Sequence, residues 1–229
     1  YRRWVNPGTL HSVTNYEVYK GLYSSLLDQN YFEIAYALNR QFADGGIYTG
    51  MPLYNFADNH DVDRVASKLN DPALLPLLYL LLFTIPGVPS VYYGSEWGVE
   101  GKRTPFSDAP VRPALDLAGL QQHPPQPQLS DDITRLAQLR QSLPALRFGS
   151  YVQLHVAAQQ FAFSRATAQE NIVVMLNASL DAIPLAVQVP THFSHAVDLL
   201  NGGEDFNIYD GSLTIEAVPA RWGRVLRLD

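Results

Sequence analysis

Leu53-Tyr54-Asn55-Phe56-Ala57 runs directly into Asp58-Asn59-His60-Asp61-Val62-Asp63-Arg64, and the reading of the whole chain turns on this stretch. The first part is a short β-compatible run bounded by Pro52 and Asp58. The second gathers three carboxylates, an imidazole and a guanidinium in one polar cluster. Residues just past the C-terminal end of a parallel strand project into the crevice where such folds place their sites. The plainer reading of the same residues is an N-cap and turn with a local Asp–Arg pair. Two chemical readings stand beside it. The spacing of Asp58, Asp61 and Asp63 does not fit an Asp-x-Asp-x-Asp-Gly calcium loop, and one His without Cys makes a poor tetrahedral zinc set. Sugar binding fits better, because hydroxyls want carboxylate acceptors beside His or Arg donors, and glycoside cleavage needs carboxylates around an oxocarbenium-like centre.

Outward from this cluster, the pattern alternates helix and strand. Asn15 can cap a helix toward Leu27. A second helix is expected from Asn30, with Glu33 completing a capping box. Asp71-Pro72 opens a third helix, to about Phe83. Val88 to Tyr93 is a buried-strand candidate ended by Gly94. Ser130 caps a further helix with Asp131 and Asp132 in its first turn, and Pro144 ends it. Such alternation predicts parallel strands joined by helical crossovers. The Pro/Gln-rich stretch at 119–129 reads as an extended, solvated link. From Tyr151 onward, about seven short runs between turn residues predict an antiparallel β-sandwich, with Phe161, Phe163 and Trp222 in its core.

Composition narrows the classes. The chain has 229 residues, 47% hydrophobic and 17% charged, which excludes a disordered chain. Sixteen Lys and Arg against 22 Asp and Glu give a net charge of −6, a poor basis for nucleic-acid binding. Without Cys there is no disulfide framework or cysteine nucleophile. The longest apolar stretch, Leu74 to Val91, is interrupted by Pro76, Pro86 and Gly87, so no membrane span is expected. The sequence leaves open whether the protein works in the cytoplasm or is secreted.

Three motifs in order resemble one family. Phe56-Ala57-Asp58-Asn59-His60-Asp61 resembles the fourth conserved region of the α-amylase family of retaining glycoside hydrolases. Thr84-Ile85-Pro86-Gly87-Val88-Pro89-Ser90-Val91-Tyr92-Tyr93-Gly94-Ser95-Glu96 resembles that family's strand-eight signature. Arg140 to Tyr151 resembles the passage from the last barrel helix into the C-terminal β domain. The resemblance implies the C-terminal part of a (β/α)8 TIM barrel over residues 1–147, carrying strands seven and eight, then an antiparallel β-sandwich domain over 148–229.

Residue by residue, the resemblance implies that Asp61 is the carboxylate stabilising the transition state and that His60 hydrogen-bonds the same sugar. Asn59 orients the turn. Arg64 pairs with a carboxylate of the site. Trp97 and Tyr93 are candidate sugar platforms, with core packing as the plain alternative for the tyrosine. The family's nucleophilic Asp and acid/base Glu would precede Tyr1, and Glu17, Glu33, Glu96 and Glu100 stand in no matching motif. Retaining chemistry needs two carboxyl groups about 5–5.5 Å apart, so the chain alone is expected to be inactive. No metal or other cofactor is assigned to it, the family's calcium ligands falling mainly upstream.

The expected partners are an α-glucan or oligosaccharide substrate and the missing N-terminal part of the same protein. The opening Tyr1-Arg2-Arg3-Trp4 is placed just after strand six, so strand seven would be left with an unpaired edge and could form a homodimer through it. The sandwich is expected to fold independently. Two other functions stay open: a non-catalytic carbohydrate-binding or assembly piece, and a glucan transferase or isomerase of the same family.

Overall fold

The computed structural model describes residues 1, 3–6 and 8–229. Arg2, in the opening segment expected after strand six, lies outside the described residues. The helices and strands run α1 (Tyr16–Leu27), α2 (Phe32–Phe42), β1 (Tyr54–Phe56), α3 (Val65–Lys68), α4 (Leu75–Thr84), β2 (Val88–Ser90), α5 (Leu117–Gln122), α6 (Leu129–Ser142) and α7 (Pro144–Phe148). A sheet follows, made of β3 (Ser150–Val156), β4 (Gln160–Ala166), β5 (Asn171–Asn177), β6 (Ile183–Gln188), β7 (His195–Asp198), β8 (Asp205–Tyr209), β9 (Ser212–Val218) and β10 (Trp222–Leu228).

Local chemistry explains the start of α1 and of the turn that leads into α4. Asn15 Oδ1 accepts from Val18 N at 3.2 Å, as its capping position predicts. Asp71 accepts from Ala73 N at 3.0 Å, and Pro72 opens a short 3-10 turn leading into α4. Two caps differ from expectation. Asn30 accepts from Phe32 N at 3.0 Å, but Glu33 does not turn back to complete a box; it reaches α1 instead, accepting from Ser24 Oγ at 2.7 Å and pairing with Lys20. Ser130 lies inside the first turn of α6, which starts one residue earlier and has no side-chain cap.

β1 and β2 pair in parallel, Tyr54 opposite Val88 and Phe56 opposite Ser90. The crossover between them contains α4. That helix is apolar on every side and buried from Leu77 through Thr84, as befits an element enclosed between layers. Strand β2 is shorter than the expected Val88–Tyr93 and Val88 is exposed, because its far edge has no neighbour among the described residues. Gly87 permits the entry into β2: its φ is +113°, and a Cβ there would meet Asn55 Nδ2 at 2.5 Å.

The expected open edge of β1 is covered. Tyr54 N donates to Val13 O at 3.0 Å and Asn15 N to Tyr54 O at 2.9 Å, so Thr14 bridges Tyr54 in parallel. Residues 13–15 therefore hold the position assigned to strand six, and the opening residues precede it rather than follow it. The edge through which a homodimer was expected is thus bonded at Tyr54. One bridge in a polar stretch leaves too little periodicity to read as a strand.

The C-terminal part has eight strands, not seven. They form one hydrogen-bonded sheet in the order β3-β4-β5-β10-β7-β8-β9-β6, antiparallel throughout. The sheet curls nearly into a barrel instead of splitting into two layers. Ala162, Val173, Met175, Leu185, Leu213, Ile215 and Leu226 fill its inside. The alternate residues Phe161, Phe163, Ile172, Val174, Leu176 and Val225 face the helices and join one core with Leu22, Ile34, Leu38 and Leu78. Phe161 and Phe163 are thus residues of the junction rather than of the sandwich core, and Trp222 packs at the edge of the same cluster.

Two buried arginines gather carbonyls near the junction: Arg140 ties α6 to the end of α4 within the helical half, and Arg165 reaches across from the sheet. Arg140 donates to the carbonyls of Phe83 (2.7 Å), Ile85 (3.3 Å) and Gly87 (2.5 Å). Arg165, from β4, donates to Thr84, Leu146, Gly149 and Ser150 at 2.8–3.2 Å. These carbonyls lie at and beyond the ends of α4 and α7, where helices leave acceptors unpaired and carry partial negative charge. Burial lowers both guanidinium pKa values, Arg140 to about 10 and Arg165 to about 9, with the neighbouring Arg147 and Arg140 respectively adding to the shift.

Candidate functional site

The polar cluster lies where the sequence places it, immediately past the C-terminal end of β1. Its residues divide into a buried foundation and an exposed rim. Asp58 is buried and accepts from Val65 N at 2.9 Å, at the start of α3, and from Ser95 Oγ at 2.8 Å, just past β2. Burial pushes the Asp58 carboxyl above the usual carboxylate range, with the bonds from Val65 and Ser95 and the charge of Arg64 opposing the shift.

Arg64 belongs to the foundation. It is 0% exposed, donates to Tyr93 O at 2.6 Å and to Ser95 Oγ at 3.3 Å, and lies over the rings of Tyr92 and Tyr93 at 4.3 and 4.9 Å. The expected pairing with a site carboxylate is indirect, through Ser95 to Asp58. An Arg sealed beneath the tyrosines offers no donor to a ligand at the surface, so its place is under the site.

The rim is a tight turn. Asn59 Oδ1 accepts from Asp61 N at 2.8 Å, the orienting geometry expected of it. The Asp61 side chain is 52% exposed, and its two oxygens have different partners: His60 Nε2 lies 3.2 Å from Oδ2 and Arg112 Nη2 lies 3.3 Å from Oδ1. Arg112 Nε also donates to His60 O at 3.0 Å. From the same loop beyond β2, Arg103 Nη1 donates to Asp61 O at 2.7 Å, and its backbone N to Asp63 Oδ1 at 2.7 Å.

That loop is held by its own bonds. Gly101 O accepts from Arg64 N at 2.9 Å, and Gly101 N donates to Ser67 Oγ at 2.8 Å. A Cβ on Gly101 would come within 2.2 Å of Pro110 O, so only glycine lets the loop fold back this closely. The loop at 100–108, which by sequence either shapes substrate entry or merely packs, thus brings Arg103 and Asp108 to the turn, and Arg112, not singled out in the sequence, comes with them. The signal was available: two arginines and an aspartate in the loop after the second strand, opposite an acidic turn after the first.

The other candidates make no hydrogen bond to Asp61 among the described residues. Tyr93 is half-exposed, with its hydroxyl donating to Pro113 O at 3.0 Å and its ring edge-on to Tyr92. Trp97 is half-buried in a 3-10 turn that packs against α6, and its carbonyl accepts from Gln126 N at 3.0 Å. The stretch at 119–129 is solvated as expected but not wholly extended: it includes the end of α5, which buries no residue, and is tied to the barrel part through Gln126 N.

Among the described residues, no group of three or more His, Asp or Glu side chains is placed to hold a metal ion. No helix among them is long and apolar enough to cross a membrane. A cavity of about 710 Å³ lies at the opposite ends of β1 and β2, lined by Met51, Pro52, Gly87, Arg140 and Arg165, away from the Asp61 turn.

Comparison with known proteins agrees with this architecture. The model of the alpha amylase catalytic domain matches residues 5–143. A cyclomaltodextrin glucanotransferase of Thermoanaerobacterium thermosulfurigenes is 27% identical over 170 residues, covering 71% of this chain and 22% of that protein. An alpha-amylase of Saccharomycopsis fibuligera is 40% identical over 67 residues, covering 29% of this chain and 13% of that protein. Among solved structures, an Anoxybacillus alpha-amylase superposes with a TM-score of 0.81 at 22% identity, covering 96% of this chain and 47% of that one. An alpha-amylase of Geobacillus thermoleovorans, solved with acarbose, gives 0.80 at 21% identity, covering 95% of this chain and 48% of that one. At such identities the superpositions speak for the fold. The chain spans about half the length of these structures and under a quarter of the curated relatives' length.

Proposed function

The chain belongs to the alpha-amylase family, and from that premise we propose that it is the C-terminal part of an α-glycosidase that hydrolyses α-glucosidic bonds in α-glucans or maltooligosaccharides with retention. Residues 1–147 supply the C-terminal part of a (β/α)8 barrel, with β1 and β2 as its strands seven and eight and residues 13–15 beside them in the strand-six position, and residues 148–229 form the β domain behind it. The observation that carries this reading is the Asp61 carboxylate, exposed beyond the end of β1, with Arg112 Nη2 3.3 Å from one oxygen and His60 Nε2 3.2 Å from the other. Such a carboxylate opposes positive charge developing on a sugar ring without having to reorganise.

In this reading Asp61 stabilises the transition state and His60 bonds the same sugar, while Asn59 sets the turn. Tyr93 and Trp97 offer ring faces further along the surface, and Arg64 supports the turn from below. The nucleophile and acid/base come from a part of the longer protein outside this chain, which is thus its first partner. Any calcium belongs to that part as well. A transferase reading has its own support, since cyclomaltodextrin glucanotransferases are among the relatives that cover most of the chain.

The test is Asp61→Asn in the longer protein, with products analysed. Turnover falls by about 10²–10³-fold, in line with the loss of one preorganised electrostatic group, and thermal stability stays near that of the parent. Near-parental turnover would remove the role given to Asp61. The chain alone hydrolyses no maltooligosaccharide; robust hydrolysis by it would show that the site lies elsewhere. Linear or cyclic transfer products in place of free sugar would select the transferase.

A further inference from the structure

Arg112 lies outside every motif that led to the site, yet it makes two bonds to the turn bearing Asp61. It comes from a loop about 50 residues further along the chain, so nothing in local sequence forces the contact. Its Nη2 meets Asp61 Oδ1 and its Nε the carbonyl of His60, so one planar guanidinium fixes both the carboxylate and the backbone that carries it.

Arg103 binds the same turn from the backbone side, through Asp61 O. Asp108 lies between the two cations, 2.8 Å from Arg103 Nε and 3.4 Å from Arg112 Nη2, and offsets their repulsion. All of these side chains are substantially exposed, and exposed ion pairs add little to folding stability. Their geometry therefore bears on where Asp61 points more than on whether the chain folds.

We propose that Arg112 is a positioning residue: it holds the Asp61 carboxylate in a single orientation, with His60 on the other oxygen, so that the group meets a sugar already aligned. This rests on the reading of Asp61 as the transition-state carboxylate, and it adds a residue beyond the motifs. A lysine cannot replace it, since one ammonium lacks the fork that reaches carboxylate and carbonyl together.

Two measurements test it separately from the function. In the chain itself, Arg112→Ala makes amide exchange at Asp61 several-fold faster while that in α1 is unchanged. Unchanged exchange at Asp61 overturns the clamp, whether or not the longer protein acts on glucans. In the longer protein, Arg112→Ala lowers kcat by about 10²-fold, the scale of a small misplacement at a reacting centre, with KM little altered. Added guanidinium ion restores part of that loss, and Arg112→Lys restores less than the parent activity. A rise in KM with kcat intact, or no rescue by guanidinium, overturns the positioning role. Absence of any glucan activity in the unsubstituted longer protein would instead remove the proposed function and leave the exchange result to judge the clamp.

Discussion

Arg165→Met probes how the two halves are joined. The side chain is buried and makes four bonds, to the carbonyls of Thr84, Leu146, Gly149 and Ser150, with no carboxylate pair among the described residues. Methionine fills much of the volume but donates nothing. Each acceptor left buried without a donor costs roughly 1–3 kcal/mol. Against this, the substitution removes a charge that burial already disfavours, as its pKa of about 9 records. The net loss is about 3–5 kcal/mol, the range found when a buried charge network is broken. At about 2–4 °C per kcal/mol for a chain of this size, the midpoint falls by roughly 10 °C. Urea unfolding followed by both helical circular dichroism and Trp fluorescence reads the loss. Arg165→Lys recovers only part of it, because one ammonium cannot reach carbonyls on α4, α7 and β3 together. A loss under about 1 kcal/mol, within the reach of an ordinary surface substitution, would refute the claim that these carbonyls depend on Arg165. So would separate unfolding of helices and sheet in the parent chain.

Other outcomes follow from the same structure. Residues 148–229 expressed alone expose Tyr151, Phe161, Phe163, Ile172 and Val174 on one face of the sheet. They associate or bind a hydrophobic dye, and a monomeric, dye-silent sheet would contradict the shared core. Gly87→Ala, at φ +113° and with Asn55 and Leu53 in the way, destabilises by more than about 1 kcal/mol in thermal unfolding. Asp58 is a buried acid with a raised pKa, so its contribution to stability is full below the free value of about 3.9 and is lost as pH rises through its elevated folded value. Asp58→Asn removes that decline, and parallel stability–pH curves for the two proteins would show that Asp58 is not its source.

Much of this was legible because it is local. The Asn59 turn, the Asn15 and Asp71 caps and the all-apolar helix after Asp71 follow from side chains acting within a few residues of themselves. Where local signals were weak or shared, the sequence misled. Glu33 stands at the spacing of a capping box, yet a serine and a lysine on α1 compete for it and win. Residues 13–15 make a single bridge, too little for a strand pattern. Phe161 and Phe163 alternate correctly along β4, but alternation does not say which of two apolar faces meets helices and which closes on itself.

By itself, then, the sequence determined the family, the parallel pairing of two strands around a buried helix, and the turn that presents His60 and Asp61, since motif order and hydrogen bonds of short reach set these. Tertiary structure decided what distant segments share. It buried Arg64 under two tyrosines, joined sheet and helices in one core with Arg165 reaching across, and brought Arg112 across about 50 residues to Asp61. A charged side chain takes its role from the donors, acceptors and water left to it after packing, and those are fixed only when the chain has closed around it.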